Sequence, residues 1–117
     1  MEPTSARIAP LLDASEALRW LDRGTGGALA LHIMRAKGTG ALKCVPTPEA
    51  LGLLHKALAA ALAAGGARVL LWQLDGIARP GEPIAIAGAV AEHRAGANAA
   101  VEKLLFGLKG VATREEL

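Results

Sequence analysis

The stretch from Arg68 to Ala91 limits the possible folds of this chain more than any other part of it. Arg68-Val69-Leu70-Leu71-Trp72-Gln73-Leu74 is a short, mostly apolar run of strand length. After Asp75-Gly76 and Arg79-Pro80-Gly81-Glu82 a second run follows, Pro83 to Ala91. Apolar runs bounded by turn residues of this kind read as strands. The second run alternates Ile84, Ile86, Gly88 and Val90 with Ala85, Ala87, Ala89 and Ala91. Successive strand side chains point to opposite faces, so one face of this strand is branched and the other nearly flat. A flat face of alanines allows a helix to approach closely.

The flanking sequence supplies further elements. Arg7 to Leu12 reads as an edge strand, because Pro10 cannot donate to a central ladder. Asp13-Ala14-Ser15-Glu16 has the form of a capping box, with Asp13 accepting from the first turn and Glu16 reaching back. The helix behind it carries Ala17, Leu18, Trp20 and Leu21 and stops at Gly24. Ala28 to Met34 has little polar content and reads as a strand buried on both faces. Lys37-Gly38-Thr39-Gly40 turns it into a returning strand, Ala41 to Val45, which predicts a hairpin. Thr47 and Pro48 suit the N-cap and first position of a helix whose stripe is Leu51, Leu54, Leu58 and Leu62, ending at Gly65-Gly66. A last helix runs from about Gly96 to Leu108, with Ala97, Ala100, Val101, Leu104, Leu105 and Leu108 on one stripe. The order is β-α-β-β-α-β-β-α in 117 residues, the length of one domain. The fold class is α+β: an antiparallel or mixed sheet with covering helices.

Composition narrows the function. A net charge of +2, with no basic run interleaved with aromatics, argues against a nucleic-acid surface. The single cysteine, Cys44, rules out an intrachain disulfide and suits a reducing compartment; it reads as a buried structural thiol. The start of the chain lacks the basic-then-apolar order of a signal peptide, and the longest apolar run is far shorter than the roughly 20 residues of a membrane span. The expectation is a soluble, cytoplasmic protein. Although 52% of residues are hydrophobic, many are alanine and only Trp20, Trp72 and Phe106 are aromatic. Such a core gains less per residue than one of leucine and phenylalanine, which predicts that a partner subunit supplies part of the stabilising surface.

No metal motif involves His32, His55 or His93, and no nucleophile elbow or Walker loop is present; no cofactor is expected. Gly24-Thr25-Gly26-Gly27 lies between a helix and a strand, the wrong context for cradling phosphate. The informative place is the end of the flat strand, where His93-Arg94 opens the last helix. A cation, an imidazole and the free N–H groups of a helix N-terminus suit an anionic ligand there. On residues alone, a solvated Arg94 and a His93 bonded to local backbone account for the same pattern. Lys109, read alone, is a cation in the last turn of a helix, favourable to its dipole.

Gly81-Glu82-Pro83-Ile84, Gly88, His93-Arg94 and, one helix later, Leu108-Lys109 together resemble the signature of the molybdopterin synthase large, catalytic subunit family. Leu74 to Gly81 is similar to that family's strand-turn-Pro-Gly segment, and Gly27-Ala28 with Arg35-Ala36-Lys37 to its Gly-Ala strand and basic loop. The resemblance runs from about Gly26 to Lys109. It implies an α/β-hammerhead-like fold and a role in molybdenum cofactor biosynthesis: sulfur transfer from the thiocarboxylated Gly-Gly tail of a small ubiquitin-like subunit to a cyclic pyranopterin phosphate, forming the molybdopterin dithiolene. It also implies a homodimer of large subunits within a heterotetramer. Carried over by residue, Arg35, Lys37, His93 and Arg94 hold the phosphate and pterin, and Lys109 is the catalytic lysine.

The sequence departs from the family in several places. His32 and Met34 stand for the aromatic and glycine of the Gly-Ala strand, the loop after Lys37 is short, and an acidic residue near Val45 is absent. Gly110-Val111-Ala112-Thr113-Arg114-Glu115 replaces a Pro-aromatic-Lys-Arg segment with a second active-site lysine. Arg114 can stand in as a cation for the substrate but not as a nucleophile, since arginine stays protonated. Three readings follow: a synthase subunit, a catalytically inactive paralogue that binds or scaffolds the small sulfur carrier, and an unrelated α+β domain for a small anion.

Overall fold

In the computed structural model, which describes residues 2–117, the two apolar runs become adjacent antiparallel strands at the centre of a sheet. The element order is β1 (Thr4–Ala9), α1 (Ala14–Asp22), β2 (Ala28–Arg35), β3 (Leu42–Pro46), α2 (Ala50–Ala63), β4 (Arg68–Leu74), β5 (Gly76–Ala78), β6 (Pro83–Ala91), α3 (Arg94–Gly107) and β7 (Ala112–Glu116). The larger sheet has the order β1-β4-β6-β2, with β1 parallel to β4 and the other pairs antiparallel. A smaller antiparallel sheet has the order β5-β3-β7. The expected α+β class, a mixed sheet with covering helices, is what the chain adopts.

The two faces of β6 divide the core as its alternation predicts. Ala87 and Ala89 join Val69 and Leu71 of β4 beneath α2 and α3, in a cluster with Ala57, Leu58, Ala100 and Leu104. Ile84, Ile86 and Val90 join Leu70, Trp72 and Leu74 beneath α1, with Ala17 and Leu21. The second face buries large side chains, each contributing about 1.5–3 kcal/mol; the first gains mainly from close approach. A Cβ built on Gly107 of α3 would overlap Ala57 Cβ and lie 3.3 Å from its Cα. A Cβ on Gly88 would overlap Leu21, so the one glycine on the branched face is where α1 presses on the sheet.

Several expectations need correction. The first strand ends at Ala9, before Pro10, and is an edge strand as expected. Asp13 Oδ1 accepts from the N–H groups of Ser15 and Glu16 at 2.9 and 3.4 Å, but Glu16 pairs with Arg7 at 2.8 Å instead of reaching back. The predicted hairpin does not form. β2 pairs with β6, its register slips between Met34 and Arg35, and Ala36 exchanges backbone bonds with the turn at Gly81 and Glu82. The chain then leaves for the second sheet, where β3 pairs with β5 and β7. β2 is therefore an outer strand, half-buried and not enclosed on both faces, with His32 exposed.

Thr47-Pro48 is a turn and not the start of α2, whose N-cap is Glu49 without a side-chain bond. The α2 face that is buried is Ala50, Leu54, Ala57, Leu58 and Ala61; Leu51 of the expected stripe is 52% exposed. In α3, Ala97, Ala100, Val101 and Leu104 are buried as expected, while Leu105 and Leu108 are half-buried.

Because Gly107 touches Ala57 directly, Gly107→Ala is expected to destabilise the fold by about 1–3 kcal/mol, the cost of overpacking. Urea denaturation checks this: the midpoint should fall with little change in slope.

Candidate functional site

Each expected site residue is exposed, and His93 and Arg94 lie at the opposite end of α3 from Lys109. His93 and Arg94 occupy its start. Lys109 lies just past its end, and a helix of 14 residues separates the two by roughly 20 Å at 1.5 Å per residue. Within one chain, Lys109 is thus not beside His93 and Arg94.

The His93 end is set by backbone contacts. His93 is the N-cap of α3, in extended conformation, and its imidazole makes no capping bond. Among the described residues the first-turn N–H groups of α3 thus have no side-chain cap, while Arg94 is exposed, as in the reading that makes it a solvated cation. The glycines that the sequence set between α1 and β2 fix this turn. A Cβ on Gly26 would lie 2.6 Å from Ala91 O, and one on Gly27 would overlap Glu92 O. At the first turn of α3, Gly96 Cα sits where a Cβ on Gly65 would come within 3.1 Å.

The remaining cations lie along β2 and the β3–β7 sheet, with Lys37 beside the Glu116 end of β7 and Lys109 before its Ala112 end. Arg35 closes β2 opposite Pro83, and Lys37 follows buried Ala36. Lys37 lines a cleft of about 300 Å³ with Gly38, Leu42, Glu116 and Leu117, where Leu117 N–H donates to Ala41 O at 3.0 Å. Arg114, on β7, is paired in register with Cys44 of β3. Burial pushes the Cys44 thiol up, and the Arg114 guanidinium pulls it partly back. Cys44 is 1% exposed, as expected for a structural thiol.

Lys109 sits in a turn held from outside. Thr47 Oγ1 donates to Gly110 O at 3.0 Å and Val111 O at 3.2 Å, and Thr47 N–H donates to Val111 O at 2.9 Å. Gly110 takes φ +80°, a left-handed value suited to glycine, and Val111 is fully buried. Lys109 Nζ lies 4.8 Å from the centroid of the Phe106 ring. Both residues rim an apolar groove of about 370 Å³ between α2 and α3, with Ala57, Ala60, Lys56 and Lys103. Sequence reading missed Thr47 because Thr-Pro is also a helix-start signal; its hydroxyl serves a turn 63 residues away.

No protein-family model matches the sequence, and no curated protein matches it. Solved structures do. The chain superimposes on the molybdopterin biosynthesis MoaE protein from Burkholderia ambifaria with a TM-score of 0.82 and 25% identity, over 97% of this chain and 81% of that one. Molybdopterin synthase from Staphylococcus aureus gives a TM-score of 0.84 at 13% identity, over 100% and 92% of the two chains. A complex of subunits 1 and 2 of molybdopterin-converting factor from Helicobacter pylori gives 0.80 at 13% identity, over 99% and 85%. The class is thereby defined as an α+β domain with the molybdopterin synthase large-subunit fold. The chain is a divergent structural relative of that family, as the sequence resemblance indicated. No helix among the described residues is long and apolar enough to cross a membrane.

Two outcomes follow. Thr47→Val removes the hydroxyl bonds to the Lys109 turn and should cost about 1 kcal/mol; amide exchange at Val111, whose N–H bonds to Leu108 O, should accelerate. Cys44 binds its proton more tightly folded than unfolded, so its contribution to stability is complete below the ordinary thiol pKa of about 8.5 and is lost as pH rises through the higher folded value. Stability measured between neutral and alkaline pH should therefore fall more in wild type than in Cys44→Ala.

Proposed function

We propose that the chain works in molybdenum cofactor biosynthesis as a large subunit of molybdopterin synthase, or a close variant. The observation that carries this reading is the whole-chain likeness, at 25% identity, to the Burkholderia ambifaria MoaE protein. In this reading a small ubiquitin-like subunit presents its C-terminal thiocarboxylate at the Lys109 turn, and sulfur passes to a cyclic pyranopterin phosphate. The Helicobacter pylori neighbour, a complex of subunits 1 and 2 of molybdopterin-converting factor, supports a partner of that kind. The Lys109 amine serves as base or nucleophile toward the acyl carbon, and the exposed Arg35, Lys37 and Arg114 offset the anionic charge of carboxylate, phosphate and sulfur.

The 20 Å scale of α3 bears on the phosphate site. His93 and Arg94 cannot share one pterin phosphate with Lys109 of the same chain. A homodimer that sets the α3 start of one copy against the α3 end of the other would assemble both groups around one substrate. The exposure of both ends suits such pairing.

A second reading, a paralogue that binds the carrier without catalysis, is favoured by one observation. The family's second lysine is replaced by Arg114 on β7, a residue that cannot act as a nucleophile.

Single-turnover conversion of the cyclic pterin precursor with thiocarboxylated carrier tests the enzyme reading. Lys109→Ala should lower the rate by roughly 100-fold or more while leaving carrier affinity within a few-fold. Carrier binding without turnover in wild type would establish the second reading. Mixed dimers of Lys109→Ala and Arg94→Ala chains should regain turnover if the site is shared between copies; no recovery would place it within one chain.

A further inference from the structure

Away from the Lys109 end, a cleft of about 450 Å³ opens where the edge strand β1 meets the end of α1, and Arg68, Arg23 and Trp20 line it. Arg68 begins β4, a strand buried along its whole length, and is 5% exposed. Its guanidinium stacks on the Trp20 ring at 3.5 Å, Nε donates to Trp20 O at 3.0 Å, and Nη1 donates to Glu2 O at 2.6 Å. Among the described residues those carbonyls take two of the five N–H donors of an arginine, and both acceptors are neutral.

Arg7 also stacks on a tryptophan, Trp72, at 4.0 Å, but it has a carboxylate partner, Glu16, at 2.8 Å. Arg68 is far more buried and has no ion pair among the described residues. Its charged neighbour is a second cation, Arg23, and both burial and Arg23 push its pKa down. A buried charge without a counter-charge is costly, and a second cation beside it raises the cost. Glu2 is the acidic residue lining the cleft; it gives its backbone oxygen to Arg68, and its side chain is exposed and forms no ion pair among the described residues.

We propose that this cleft binds a phosphate monoester group, held by the guanidinium groups of Arg68 and Arg23 beside Trp20. Two cations match the charge of a phosphate dianion, and the planar fork of arginine suits its oxygens. A second depression of about 170 Å³, formed with Gly24, Thr25 and Ala67, shares Glu2 and Arg68 with the first and leaves room for the esterified part of the ligand. The site is independent of Lys109 and of the sulfur-transfer reading.

Nitrogen-edited NMR of the two tryptophan indoles, with inorganic phosphate titrated at constant ionic strength against chloride, tests the proposal. The Trp20 resonance should shift saturably, and by more than that of Trp72, whose indole reaches the cleft only through Ser5 Oγ at 2.9 Å. Arg23→Gln, at an exposed position, should keep the fold and weaken phosphate binding roughly tenfold; Arg68→Gln should abolish it. An unsaturable shift, an equal shift with chloride alone, or unchanged affinity in Arg23→Gln would overturn the proposal, whether or not Arg68→Gln folds.

Discussion

Everything in this fold depends on the closeness with which α2 and α3 lie on the alanine face of β6. Ala87 and Ala89 present almost no side chain, Ala57 and Ala100 answer them, and Gly107 removes the last Cβ between the two helices. Dispersion falls off within an ångström, so such a layer is stabilising only when its members touch. The opposite face works differently: Trp72, Ile86 and Leu21 fill volume, and α1 needs only one relief, at Gly88. β6 thus couples a layer held by proximity to one held by bulk.

That arrangement also sets the chemistry. α3 runs from the end of β6 to the β3–β7 sheet, which puts an uncapped helix N-terminus with His93 and Arg94 at one end and the Lys109 turn at the other. The Lys109 end rims an open apolar groove between α2 and α3. The His93 turn is held by glycine contacts to β2 and α2, and the Lys109 turn by the hydroxyl of Thr47. Both are presented on a rigid frame toward whatever docks there, which is the form expected of a subunit that shares its site.

Much of this was legible in the sequence. β4 and β6 were read to the residue because each is an unbroken apolar run between turn residues, and the α1 cap was read because Asp13 acts locally. The resemblance carried by Gly81-Glu82-Pro83-Ile84, His93-Arg94 and Leu108-Lys109 led to the right fold family. What failed was pairing. β2 has the composition of a buried strand, yet its burial depends on standing at the outer side of β6. β7 reads Ala-Thr-Arg-Glu-Glu, a polar segment with no strand period, and becomes a strand only because β3 offers it an edge.

The sequence by itself determined which segments are apolar, where glycine must admit a neighbour, and which residues carry charge, because those properties are local to each side chain. Tertiary structure alone decided that Arg68 is a buried cation beside Arg23, that Thr47 holds a turn across the chain and not its own helix, and that His93 and Lys109 stand a helix length apart. Those facts depend on which surfaces meet, and that is fixed by the packing of whole layers.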